Sequence, residues 1–156
     1  MHKTISVWLI LNDVENKGKI ALQKRAVVEQ SFPFVCQATW AGKVEEGEEI
    51  EEAIKRECKE ELGEKFFAKF DFSGLKLFSE NNFEMKGGEW TSHNYTGEIS
   101  SDFLKTAELH KEAFSNFIFI GAGDDFYSLK SGKNPEENIV LFDDQYEVLK
   151  NILNKV

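Results

Sequence analysis

The chain has 156 residues, 41% of them apolar and fourteen of them Phe, which supports one domain with a substantial core and is too short for two. It contains no apolar run of about eighteen residues, its N-terminus MHKTISVWLILND lacks the pattern of a secretory leader, and its two cysteines, Cys36 and Cys58, cannot build a disulfide framework; a soluble cytoplasmic chain with no membrane partner is expected. The net charge of −9 is concentrated, since residues 45 to 61 hold nine Glu against Lys55, Arg56 and Lys59, a local −6 that leaves −3 elsewhere, and with no basic stripe a nucleic-acid partner is not expected.

Thr4 to Leu11 reads as a buried strand ended by Asn12-Asp13, and Lys19 to Arg25 as its partner across a polar loop containing Gly18. Residues 31 to 40, SFPFVCQATW, form an aromatic loop. Ile50, Ala53, Ile54, Cys58 and Leu62 then fall near one helical face, and Gly63 is placed to stop that helix. Phe66 to Phe72 alternates in a strand-like way. So does Leu75 to Glu84, which Gly87-Gly88 joins to Trp90–Ile99 as a hairpin. Asp102 to Ala113 admits a helix, Phe117 to Ile120 is apolar, and 121 to 135 is loop-rich. The chain closes with a strand over Ile139 to Phe142 and a helix from about Gln145 to Asn154, with Asp144 and Glu147 as a capping pair. Without an internal repeat or a linker, residues 1 to 156 read as one domain.

The acidic segment carries the chemistry. Its spacing, G-x5-E-x7-R-E-x2-E-E-x-G, runs from Gly42 through Glu48, Arg56-Glu57 and Glu60-Glu61 to Gly63. Seven fixed positions would match by chance with a probability on the order of 10⁻⁵. On a helix, Glu57, Glu60 and Glu61 stand at i, i+3 and i+4 and share one face. Such a cluster repels itself unless a cation lies among the carboxylates, and hard oxygen ligands suit Mg²⁺ or Mn²⁺.

The segment GKVEEGEEIEEAIKRECKEELG resembles the signature of the Nudix hydrolases, with Cys58 and Glu64 in two slots that are usually apolar. The resemblance implies an α/β fold, an α/β/α sandwich with a mixed β-sheet. It implies a phosphoanhydride hydrolase acting on a small-molecule nucleotide or diphosphate, either a nucleoside triphosphate or a nucleoside diphosphate linked to another group. Glu57 and Glu61 would be the principal metal ligands, Glu60 a further or water-mediated one, and a backbone carbonyl near Ala41 or Gly42 another. Arg56 would orient Glu48. The general base would be Glu61 or, from a later loop, Glu137 or Glu136. Homodimers are common in the family.

Outside the signature, Arg25 is a candidate for a phosphate, and Phe34, Phe32, Trp90 or Tyr95 for stacking on a base, although an aromatic is more often core. His93 and His110 suggest neither a nucleophile nor a zinc site. Two alternatives compete: a non-catalytic nucleotide sensor of the same fold, and a relative of isopentenyl diphosphate isomerase, which ALQKRA and the FPF loop also resemble. Those isomerases carry a catalytic cysteine where this chain has Ala41, and Cys36 lies five residues too early to replace it.

Overall fold

The computed structural model describes residues 2–26, 31–109 and 114–156. Among these, nine strands form one mixed sheet: β1 (His2–Leu11), β2 (Ile20–Arg25), β3 (Cys36–Gln37), β4 (Trp40–Lys43), β5 (Lys76–Met85), β6 (Gly88–Ile99), β7 (Phe114–Ile120), β8 (Tyr127–Ser128) and β9 (Val140–Leu141). The main path runs β5-β6-β1-β2-β3-β9-β8, with β4 on β1 and β7 on β2. Helices α1 (Ile50–Lys69) and α3 (Asp143–Leu153) cover its two faces, and α2 (Ser101–Leu104) is a single turn. No helix among the described residues is long and apolar enough to cross a membrane.

Strand alternation sorts the core into two layers. Ile5, Val7, Leu9 and Leu11 of β1 meet Ala53, Ile54, Cys58, Leu62 and Phe66 of α1. On the other face, Trp8 joins Val148, Leu149, Ile152 and Leu153 of α3, with Ile10 packed alongside. The expected sandwich is therefore the observed one.

One edge of β1 exchanges partners along its length. Leu9 and Ile10 pair with Ala21 and Ile20 of β2, whereas Thr4 to Val7 pair with β4, from Lys43 to Trp40. Where β1 parts from β2, the ladder is completed by a side chain: the Thr39 hydroxyl accepts from Leu9 N at 2.9 Å and donates to Ala21 O at 2.6 Å. The buried Gln23 amide donates to Thr39 O at 2.5 Å, so both polar side chains hold this opening together.

Several expectations need correction. Gly63 breaks α1, with φ +88, and Glu108 N caps the freed Leu62 carbonyl at 2.8 Å, but the helix resumes to Lys69. Phe66–Phe72 is accordingly not a strand. Phe66 and Phe70 sit at i and i+4 and pack on Trp40 and Phe103, so tertiary contact selects the helical period over the alternating one. The helix expected over Asp102–Ala113 is the one turn of α2, capped by Ser100 Oγ, and positions 110–113, His110 among them, lie outside the described residues. The loop 31–40 contains β3 and ends on the first residue of β4, and 121–135 contains β8. Helix α3 starts at Asp143 behind Phe142, without the Asp144–Glu147 capping box. The box occurs instead at α1, between Glu49 and Glu52. The β5–β6 hairpin is as expected, turning through Lys86 and Gly87, both at positive φ.

Candidate active site

The signature carboxylates gather where β4, α1 and the β1–β2 opening meet. Arg56 organises them. Its Nε and Nη2 reach Glu48 Oε2 and Oε1 at 2.8 and 3.0 Å, its Nη1 reaches Glu57 Oε1 at 2.7 Å, and its Nη2 also donates to Lys43 O at 2.9 Å. This fork ties the loop before α1 and the end of β4 to the helix. Glu48 in turn accepts from Glu45 N at 2.9 Å. Arg56 and this amide together hold the Glu48 carboxyl down at about 2. The expected Arg56–Glu48 pairing is present.

Glu57 lies against Gly42. A Cβ on Gly42 would overlap the Glu57 Cδ and Oε1 and would stand only 2.6 Å from its Cγ, so the missing side chain makes the cradle that the carboxylate fills. Glu61, one turn on, is 8% exposed and accepts from the Gln23 amide at 2.9 Å and from Ala41 N at 3.5 Å. Burial first, then its hydrogen bond to Glu57 and the Glu57 charge, pushes the Glu61 carboxyl well above the ordinary carboxylate range, against the smaller lowering by Gln23 and Ala41. Two carboxylates in contact repel each other unless a proton or a cation lies between them, and hard oxygen donors of this kind fit Mg²⁺ or Mn²⁺. Glu60 is turned outward, its side chain 59% exposed and 3.4 Å from Arg56 Nη1. Among the described residues, no three acidic, histidine or cysteine side chains form a closed ligand cluster.

A cleft of about 350 Å³ opens from this pair across the α3 face of the sheet. Ala41, Gly42, Lys43 and Glu61 line its carboxylate end. Phe83 and Met85 come from β5, Thr4 and Ser6 from β1, Arg25 from β2, and Phe142, Asp144 and Gln145 from the start of α3. Because β5 and β9 lie on opposite sides of β1 in the strand order, Phe83 and Met85 face Arg25 and Phe142 across the floor.

Arg25 is thus in the cleft, its guanidinium 5.9 Å from the Phe142 ring centre and its Nε donating to Ser31 O at 2.9 Å. Phe34 does not line the cleft; it lies under Lys24 Nζ at 5.5 Å, and Phe142 is an aromatic that does line it. Phe32 buttresses Phe142 edge-on at 5.3 Å. Trp90 stacks on His2 beside a neighbouring cavity, and Tyr95 packs on the α1 side. Glu136 and Glu137 sit in an exposed turn, where their backbone amides bond to Asn134. His93 lies 3.5 Å from Glu80, away from the pair. Cys36 is buried against Leu141, with its thiol pushed up to about 11, chiefly by burial.

Gln23, Phe83, Met85, Phe142 and Asp144 escaped the sequence reading. Gln23 had a legible sign, a lone amide in the apolar strand run IALQ. Asp144 read more simply as a helix cap.

Comparison with known proteins bears on the whole arrangement. A family model described as the NUDIX domain matches residues 2–119. Among curated proteins, the nucleoside triphosphatase NudI of Klebsiella pneumoniae is 50% identical over 66 residues, 41% of this chain and 41% of that protein. The isopentenyl-diphosphate Delta-isomerase of Salmonella arizonae is 35% identical over 63 residues, 40% of this chain and 32% of its own. These matches span well under half of the relatives' length. A crystal structure of a NUDIX hydrolase from Alicyclobacillus acidocaldarius aligns with 99% of this chain and 91% of its own at a TM-score of 0.65, and its 12% identity speaks to the fold alone.

Proposed function

This chain belongs to the NUDIX domain family, and on that premise we propose that it is a single-domain, metal-dependent hydrolase of a phosphoanhydride, with nucleoside triphosphates as the first substrate class to consider. The similarity of its signature region to a nucleoside triphosphatase supports the substrate class. The observation that carries the reading is the Glu57–Glu61 pair, with Glu57 seated in the Gly42 cradle, at the mouth of a cleft lined by Arg25 and Lys43.

Glu57 and Glu61 would hold Mg²⁺ or Mn²⁺, with Glu60 reached by a side-chain rotation or through water. A bound cation of this kind neutralises phosphate oxygens and lowers the pKa of water. The protein's own groups do the rest. Arg56 keeps Glu57 in place by charge-assisted bonds and anchors the Glu48 loop behind it. The Gln23 amide fixes the Glu61 carboxyl by donating to its Oε1. Arg25 and Lys43, which line the cleft, would meet phosphate oxygens along it. Glu61 is the favoured general base, as the carboxylate of the pair that itself lines the cleft. Glu137 is the alternative base, and the exposed turn that holds it makes it the weaker one.

The test is product release across nucleoside triphosphates, nucleotide sugars, dinucleotides and prenyl diphosphates, with Mg²⁺, Mn²⁺ or chelator, beside Glu61→Gln, Glu57→Gln and Glu137→Gln. Chelator-sensitive turnover that falls by about 10³-fold or more in the first two variants and survives in the third is the expected result. Silence throughout, with nucleotides still raising thermal stability, would replace hydrolysis with sensing.

A further inference from the structure

Two buried side-chain atoms among the described residues are left without a hydrogen-bond partner, Gln23 Oε1 and His93 Nε2, and the first belongs to the amide that grips Glu61. Gln23 is fully buried. Its Nε2 spends both hydrogens, one on Thr39 O and one on Glu61 Oε1, and because Thr39 O can only accept, the amide cannot be turned end for end. A buried acceptor in this position calls for a donor. Few neighbours can supply one. In the sheet Gln23 is flanked by Phe117 of β7 and Gln37 of β3, and Phe117 carries no polar group. The Thr39 hydroxyl is spent on Ala21 O, and Arg25, the next side chain on that face of β2, turns its Nε to Ser31 O. Gln37 is 8% exposed and lines the cleft, and among the described residues its amide is bonded to no protein group. Directly opposed residues of antiparallel strands hold their Cβ atoms about 5 Å apart, so rotation of the Gln37 side chain alone brings its Nε2 to Gln23 Oε1.

We propose that Gln37 is a positioning residue of this site: its Nε2 donates to Gln23 Oε1, Gln23 Nε2 donates to Glu61 Oε1, and the two amides form a relay that sets the aim of the Glu61 carboxyl from the wall of the cleft. The inference rests on the hydrolase reading for its effect on turnover and deepens it. The direction of each bond is forced. Gln23 has no hydrogen to spare, so the relay can be entered only through its carbonyl, and only a donor can enter there. An amide whose carbonyl accepts a hydrogen bond donates more strongly through its nitrogen, so closing the first bond tightens the second. Gln37 acts on Glu61 through Gln23 and takes no part in the proton or phosphate chemistry.

Gln37→Met and Gln37→Glu keep the length of the side chain and remove the donor at neutral pH. Each should lower kcat by about three- to tenfold, the size of one hydrogen bond, with KM within about twofold of the parent. Gln23→Met should cost more, and adding Gln37→Met to it should cost nothing further, because the relay is already cut. A Gln37 that only touches substrate would instead lose through KM, by the same factor in the Gln23→Met background. One that only packs would lower Tm and leave kcat alone, and a trapped water on Gln23 Oε1 would also leave kcat alone. Each of these results overturns the relay and leaves hydrolysis standing. The side-chain amide resonances of Gln23, identified by their disappearance in Gln23→Met, read the relay without turnover: in Gln37→Met they should shift and their hydrogens exchange faster. That change, with no nucleotide hydrolysed by the parent, would sink the hydrolase reading and keep the relay, whereas unmoved resonances overturn the relay. If Gln37→Met lowers Tm substantially, Gln37→Glu decides on the same readouts.

Discussion

Replacing Gly42 by Ala separates the role of the cradle from the stability of the fold. Gly42 is not at positive φ, so the substitution brings no intrinsic backbone strain. Its Cβ, however, would overlap the Glu57 carboxyl, and the flexible side chain of Glu57 is what must move. The loss on folding is then chiefly the Arg56–Glu57 bond of 2.7 Å, between side chains 24% and 14% exposed. A charge-assisted bond that is only partly screened contributes about 1–2 kcal/mol, and Gly→Ala returns about 0.5 kcal/mol by restricting the unfolded chain. The net of about 1 kcal/mol corresponds to a fall in Tm of about 2–4 °C for a domain of this size. Activity is far more exposed, since displacing a catalytic group by about 1 Å costs on the order of 10²-fold. Steady-state hydrolysis at saturating Mg²⁺, with Tm from thermal unfolding, measures both. Gly74→Ala is the control, because no heavy atom lies within 4 Å of its added Cβ and its φ is not positive. Gly42→Ala retaining more than half of the parent activity would refute the cradle argument.

Other outcomes follow from the same geometry. Arg56→Lys keeps the charge but not the fork, so thermal unfolding should show a loss of about 1–3 kcal/mol and hydrolysis a drop of at least about tenfold; unchanged values for both would mean that the ion-pair network is surface decoration. The Glu48 carboxyl is held at about 2, below its unfolded value, so its stabilisation is present above pH 4.5 and is lost as pH falls toward 2. Glu61 has the opposite sign. Its folded value is raised, so its contribution without a cation is lost as pH rises above the unfolded carboxylate value, and denaturant titrations of chelated Glu61→Gln against parent should converge at acid pH and diverge in favour of the variant at alkaline pH. Cys36 and Cys58 are fully buried with thiols pushed up to about 11 and 12, so an aromatic disulfide reagent at pH 8 should titrate neither until denaturant is added, and Cys36→Ala should keep its turnover.

The sequence announced the carboxylate end of the cleft more fully than its far end. Gly42, Glu48, Arg56, Glu57 and Glu61 act within one stretch of chain, where fixed spacing and helical periodicity translate directly into proximity. Phe83, Phe142 and Asp144 meet only because β5 and the start of α3 are brought to opposite sides of β1, and no local pattern encodes that meeting. The same division holds for the fold. The β5–β6 hairpin was legible from alternation and a glycine pair, but Phe66–Phe72 satisfied two periods at once, and contacts with Trp40 and Phe103 chose between them.

The seam between β1 and β2 has a mechanical meaning. A sheet whose strands pair throughout resists splaying through many shared bonds, but here one hydroxyl at Thr39 spans the fork, and the amide that grips Glu61 hangs from the next carbonyl. The spread of the fork and the aim of the carboxyl are therefore geared together. Widening at Leu9 would swing Gln23 and draw Glu61 from its neighbour, so the tolerance of the reactive pair is that of the sheet itself, tighter than any surface loop provides.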